Sequence, residues 1–246
     1  MSSTLEASSS STESSPESPL KSPLHPEYKI VFFDLETTGL EPNCEILQIA
    51  AKYGSRMYRT YILPTGPIPQ IVKDITGIDM KNNKMYVRGR PVTAVPKSTA
   101  LYTFIAFLKS LGGKIILVAH NCFKFDGPLL TAIVYREKKM TEFQEMVIGF
   151  SDTLPLFREY LPGRREIGRT YGLKSLADEF LGESAGAHDA MNDTCMLEQL
   201  IMRDNIPINV DDIIFSYEGV DVVSRMFHKN WRRYCRSPET WDTWKL

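Results

Sequence analysis

The chain has 246 residues and a net charge of −1, with 43% hydrophobic and 24% charged residues. This is an ordinary globular composition, long enough to bury a core without staples, and it excludes a protein that coats nucleic acid by bulk basicity. No apolar run nears the roughly 18 residues of a membrane span, and the N-terminus has no apolar signal region, so no membrane partner and a nuclear or cytoplasmic location are expected.

Residues 1–27 are mostly Ser, Thr, Glu and Pro, with almost nothing to bury, and are expected to form a disordered tail. Glu6, Glu13, Glu17 and Glu27 against Lys21 give this tail −3, so the remainder sums to +2. Tyr28–Leu35 is rich in β-branched and aromatic residues and predicts a buried strand. Ile46–Tyr53 and Met57–Leu63 predict two more, parted by a turn at Gly54-Ser55. Phe104, Phe107, Leu108 and Leu111 set a helix over Ala100–Leu111, stopped by Gly112-Gly113. A strand at Lys114–Ala119 and a helix from Gly127 to about Lys139 follow. Glu145–Phe150 fits a strand or a helix end. Leu173–Leu181 and Ala190–Met202 read as helices, and 206–246 as one or two more before a tryptophan-bearing tail. The alternation predicts an α/β domain with a mixed sheet over 28–205, and a C-terminal helical extension over 206–246. The cysteines Cys44, Cys122, Cys195 and Cys235 form no zinc pattern or CxxC pair and read as free thiols.

Three acidic segments carry the chemistry. In Phe33-Asp34-Leu35-Glu36, strand alternation projects Asp34 and Glu36 together while Phe33 and Leu35 face the core. Paired carboxylates repel, and a hard cation relieves them; the plainer alternative is a solvated acidic edge. His120–Asp126 follows a buried strand and opens a helix, so Asp126 reads as a ligand or a helix cap. In His188–Asp193, His188 belongs to a loop or first turn and Asp193 to the helix, so that both reach one site, while Asp189 reads as a cap or a solvated acid.

Taken in this order, the three segments resemble the DnaQ-like, or DEDDh, 3′→5′ exonucleases. Ile75–Ile78, Asp152-Thr153-Leu154 and Tyr171–Leu176 add to that likeness. The His120–Asp126 spacing, followed by Pro128-Leu129-Leu130, resembles the TREX type. Val31–Asp34 and Leu154–Gly163 are similar to the exonuclease-like segment of promyelocytic leukaemia (PML) proteins and its stand-alone relatives. The resemblance implies a ribonuclease H-like mixed sheet flanked by helices and two divalent cations, Mg²⁺ or Mn²⁺. It implies that Asp34 bridges both metals, that Glu36 and Asp193 complete one site, that Asp126 holds the second, and that His188 is the general base. The expected substrate is nucleic acid with a free 3′ end, single-stranded DNA favoured; the same fold also serves RNA-directed exonucleases and non-catalytic nucleic-acid scaffolds.

Thr37–Leu40 follow the acidic strand, and the resemblance implies that this turn touches the terminal nucleotide, with Leu40 against its base. The competing reading is an ordinary turn. Arg164, Arg165 and Arg169, upstream of the third segment, are the expected phosphate contacts. Lys84, Arg88 and Arg90 around Tyr86 read as a solvated loop or as a track for a single-stranded backbone. Arg225, Lys229, Arg232, Arg233 and Arg236, with Trp231 and Tyr234, read as a charged helix face, a nuclear signal or a nucleic-acid contact.

Overall fold

The computed structural model describes residues 25–182, 186 and 188–236, with side chains as far as 232. Most of the expected N-terminal tail, and the tail after 236, lie outside the described residues. In chain order the elements are β1 (Tyr28–Thr37), β2 (Ile46–Tyr53), β3 (Arg56–Ile62), α1 (Gln70–Thr76), β4 (Ile78–Lys81), β5 (Lys84–Val87), β6 (Arg90–Val92) and β7 (Ala94–Val95). Then follow α2 (Lys97–Leu111), β8 (Lys114–Ala119), α3 (Asp126–Arg136), α4 (Met140–Gln144), β9 (Val147–Asp152), α5 (Thr153–Tyr160) and a 3₁₀ turn at Arg164–Ile167. The chain closes with α6 (Leu173–Phe180), α7 (Ala190–Ile201), α8 (Val210–Phe215), β10 (Glu218–Gly219) and α9 (Val220–Arg236).

The main sheet has the order β10-β9-β8-β1-β2-β3-β7, which puts β1 at its centre. β1 pairs antiparallel with β2 and parallel with β8, so the sheet is mixed. Both faces are covered, and β1 feeds each in turn. Val31, Phe33 and Leu35 pack under α2, α3 and the start of α9, with Phe104, Leu130 and Val223 as neighbours. Ile30 and Phe32 pack under α5, α6 and α7, with Phe157, Leu176 and Leu200. A strand buried on both faces reads as a continuous apolar run, which is why Ile30–Phe33 carries no alternation.

Of the two readings of 145–150 the structure takes the strand, β9, parallel to β8. Two elements differ from the sequence reading. The segment after Gly77 is not a loop but a three-stranded antiparallel sheet, β4-β5-β6, closed over Leu47 and Tyr61 by Ile78 and Met85. Its two-residue turns, Asn82-Asn83 and Arg88-Gly89, all have positive φ (50°, 59°, 49° and 79°), the geometry that matches strand twist in a hairpin. The C-terminal segment is part of the domain. Ile206, Ile208 and Ile213 are fully buried in the second core, β10 pairs with β9, and α9 packs on α3.

Candidate active site

The parallel pairing of β1 with β8 ends at Phe32↔Val118, but β1 runs on to Thr37. This overhang presents Asp34 and Glu36 on the face shared with Ile30 and Phe32. Helix α7 crosses that face and brings Asp193 to them. Oxygens of Asp34, Glu36 and Asp193 lie within 4.8 Å of one another. Asp126, the first residue of α3, comes over the end of the sheet. Its carboxylate accepts the N–H of Leu35, and it is the neighbouring charge that acts most on Asp34.

Burial and mutual repulsion dominate the electrostatics. Burial, then the charges of Asp126, Asp193 and Glu36, holds the Asp34 carboxyl well above its usual range. Burial, then Asp193 and Asp189, pushes Glu36 up to about 8. Burial pushes Asp126 up to about 8 against the lowering effect of its own and the Leu35 N–H, and pushes Asp193 up to about 7. Four carboxyls that oppose one another's ionisation, three of them converging on one point, form an oxygen-only donor set suited to a hard cation. The residues present therefore fit the divalent metals that the resemblance implies.

His188 is exposed, with φ 67°, and its N–H donates to Asp193 Oδ2 at 3.0 Å. Partial burial, with the charges of Lys174 and Arg88, lowers its pKa and keeps the imidazole neutral. Asp189 is the N-cap of α7, accepting from Met191 and Asn192 N–H. Its other oxygen accepts from Gln48 Nε2 at 3.2 Å and Tyr61 Oη at 3.4 Å. Gln48 Oε1 in turn accepts the Ala190 N–H at 3.1 Å, so β2 fixes the start of the helix that carries Asp193. Sequence reasoning missed Gln48. Its signal was one amide inside the apolar run Ile46–Ala51.

The loop that presents Asp126 is held from behind. Asp152 caps α5 through the Leu154 N–H at 3.0 Å and accepts the Phe123 N–H at 3.1 Å. His120 Nε2–H donates to the Tyr171 carbonyl at 2.8 Å, which leaves Nδ1 facing Thr153 Oγ1 at 3.0 Å. Burial lowers the His120 pKa to about 4, so this ring is a neutral strut.

The sequence-chosen substrate contacts separate. Thr37 is buried, and its hydroxyl donates to the Gly39 carbonyl, shaping the turn. Leu40 stands at the tip of that turn, 49% exposed. Arg165 lines a cleft of about 630 Å³ with Asn121, Arg158 and Arg169. Arg164 is a correction: it is buried, donates Nε–H to the Thr170 carbonyl, pairs with Glu179 and lies over the rings of Tyr171 and Phe180. Its guanidinium lies inside the fold, with Nη2 buried and without a hydrogen-bond partner, rather than on a surface open to a phosphate.

The chain is similar to known proteins. The family model RNase_T, described as an exonuclease, matches residues 31–200. Human three prime repair exonuclease 2 is 30% identical over 186 residues, which cover 66% of this chain and 78% of that protein. Human protein PML is 33% identical over 101 residues, 40% of this chain. Among solved structures, the zinc-bound E. coli ExoI–ssDNA complex aligns with a TM-score of 0.58 at 20% identity over 77% of this chain. The chain spans 43% of that ExoI chain and 10% of PML. The structural likeness fixes the fold as the ribonuclease H-like mixed sheet flanked by helices. The extent of the family match, across all three acidic segments, makes this chain a member of the RNase_T exonuclease family.

Proposed function

We propose that the protein is a metal-dependent 3′→5′ exonuclease that hydrolyses the terminal phosphodiester bond of nucleic acid, with single-stranded DNA as the favoured substrate. The observation that carries this reading is the convergence of Asp34, Glu36 and Asp193 within 4.8 Å, beside Asp126 and with His188 tied to Asp193. Similarity to three prime repair exonuclease 2 supports the 3′→5′ direction, and a relative solved as a single-strand DNA complex supports the strand preference. No acidic position of the pattern is lost, so a non-catalytic scaffold is not favoured.

Asp34, Glu36, Asp126 and Asp193 would hold two divalent cations, Mg²⁺ or Mn²⁺. Such cations, when bound, stabilise the attacking and leaving oxygens of an in-line displacement. An imidazole nitrogen of His188 takes the proton of the attacking water, and its lowered pKa keeps it ready to do so at neutral pH. The buried Thr37 turn and the exposed Leu40 receive the terminal nucleotide, Leu40 against its base. Arg165 meets the backbone phosphate at the rim of the cleft.

The test uses matched DNA and RNA single strands with free or blocked 3′ ends, in Mg²⁺ and in chelator. Release of mononucleotides from free 3′ ends of DNA, dependent on metal, is expected. Undiminished cleavage in excess EDTA, or cleavage of blocked ends, would sink the reading.

A further inference from the structure

Arg88 is the odd residue of its hairpin turn. A two-residue turn with both φ positive favours Asn or Gly at its first place, and the sister turn of the small sheet is Asn82-Asn83. Arg88 takes that place at φ 49°, a left-handed conformation in which a long side chain costs backbone strain. Space is kept open for its stem. Arg88 Cγ lies against Gly77, where a Cβ would come within 2.6 Å, and the Arg88 N–H donates to the Gly77 carbonyl at 2.8 Å. The turn would form more readily with asparagine, so turn geometry does not account for the arginine.

The fold carries this turn to the carboxylate cluster. Ile78 and Met85 seat the small sheet on Leu47 and Tyr61, and Tyr61 Oη donates to Asp189, next in the chain to His188. Lys174 comes from the other side. It stands in the first turn of α6, three residues after Tyr171, whose carbonyl accepts from His120 in the loop that leads to Asp126. Both cations are exposed, and the charges of both reach the His188 imidazole. Lys174 also pairs with Asp178 at 3.1 Å, an exposed contact one helical turn away that a stronger anion displaces. A water activated by His188 lies about 3 Å from its imidazole, and the phosphorus under attack about 3–3.5 Å beyond. Cations that reach the imidazole from two sides therefore also reach the phosphate of the bond being cut.

We propose that Arg88, with Lys174 across from it, grips the phosphate of the scissile bond and keeps hold of it as the 5′-phosphate of the released nucleotide. The proposal rests on the exonuclease reading. In that step the water oxygen bonds to phosphorus and the bond to the 3′-oxygen of the next nucleotide breaks. One water proton passes to His188, and the 3′-oxygen leaves with a proton from solvent. The new phosphate hydroxyl ionises near pH ~6, so the phosphate gains a second negative charge. A planar guanidinium suits that group, because it can donate two parallel hydrogen bonds to two of its oxygens.

Isothermal titration of the full chain with thymidine 5′-monophosphate and with thymidine, in Mn²⁺, tests the grip. Arg88→Asn removes the guanidinium and suits the positive φ, so the melting temperature should hold or rise. Its affinity for the monophosphate should fall about 10- to 100-fold, while Mn²⁺ affinity stays within about twofold. Thymidine, which lacks the phosphate, should behave alike on both proteins. Arg88→Lys keeps the charge without the fork and should recover part of the loss, and Lys174→Gln should weaken the monophosphate in the same direction. An unchanged monophosphate affinity in Arg88→Asn overturns the proposal, and so does a wild-type chain that binds no monophosphate. An equal loss of thymidine also overturns it, by assigning Arg88 to the shape of the pocket. Cleavage of dT20 separates the two readings. If wild type cleaves it and Arg88→Asn keeps both KM and monophosphate affinity, only the grip fails; if wild type cleaves nothing yet binds the monophosphate through Arg88, only the exonuclease reading fails.

Discussion

The backbone N–H of His188 donates to Asp193 Oδ2 at 3.0 Å, while the His188 side chain stays exposed. One hydrogen bond thus ties the candidate base to a candidate ligand without spending the imidazole. His188→Ala keeps that N–H and replaces one L residue by another at φ 67°, so the backbone is no more strained than before. Melting temperature and cation affinity should hold, while single-turnover cleavage falls about 10²- to 10⁴-fold, the usual worth of a general base. Asp193→Asn should damage cation affinity and rate together. Full turnover of His188→Ala at pH 7 would remove it from the base role.

The carboxylate cluster makes the stability of the metal-free protein depend on pH. Glu36 and Asp126 at about 8 and Asp193 at about 7 all sit above their unfolded values near 4. The folded state binds more protons than the unfolded state in this range, so stability falls as pH rises through about 8. In chelator, the melting temperature should drop between pH 6.5 and 8.5; with millimolar Mg²⁺ or Mn²⁺ the drop should vanish, because the cation takes the place of the protons. Glu36→Gln should flatten the chelator curve. A melting temperature that rises across this window without metal would contradict the cluster as described.

His120 acts with the opposite sign. Its folded pKa, about 4, lies below the unfolded value of about 6.5, so the unfolded state binds the extra proton and stability is lost as pH falls from 6.5 toward 4. The gap corresponds to about 3 kcal/mol at its acid limit. Chemical denaturation of His120→Gln and wild type at pH 7 and pH 4.5 should show the variant losing less stability over that interval. Parallel losses would mean that His120 is protonated in the fold.

The acidic site was legible because each part has a local signature. Asp34 and Glu36 alternate at the end of an apolar strand, and His188 and Asp193 straddle a helix start. The strands β1 and β8 were legible as apolar runs, and α2 was read short at its N-terminus because Lys97-Ser98-Thr99 are exposed and show no apolar period. What stayed hidden depends on distant partners. Arg164 reads as a surface cation until Glu179, Tyr171 and Phe180 close on it. The 78–92 sheet was concealed by its short strands, although Asn82-Asn83 was a hairpin-turn signal in plain view.

Arg164 and Arg165 are neighbours with opposite duties. Arg164→Ala should cost about 2 kcal/mol, since it strips a partner from Glu179 and empties the space between Tyr171 and Phe180; the partial exposure of Glu179, and its second partner Arg169, limit the loss. Arg165→Ala should change stability by less than about 0.5 kcal/mol and instead raise KM for nucleic acid. Thermal melts beside steady-state cleavage separate the two. The assignment is reversed if Arg165→Ala melts early and Arg164→Ala does not.

Gln48 tests whether the start of α7 governs the site. The residue is fully buried, and its amide satisfies both the Ala190 N–H and Asp189 Oδ2. Gln48→Leu keeps much of the volume but leaves the buried Ala190 N–H without a partner, at a cost of about 1–3 kcal/mol. For a chain of this size that is a fall in melting temperature of roughly 2–4 °C per kcal/mol. The consequence reaches further than stability. Asp189 caps the helix on which Asp193 sits in the first turn, and Tyr61 alone is a weaker tether for that cap at 3.4 Å. Gln48 also stands opposite Glu36 in the β1–β2 pairing. Loosening this end should lower cation affinity several-fold. Isothermal titration with Mn²⁺ on the variant and on wild type measures the difference. A Gln48→Leu protein that melts early yet binds Mn²⁺ like wild type would show that α7 is held in place by its packing against Leu176 and Phe32 and by the Lys52–Glu198 ion pair.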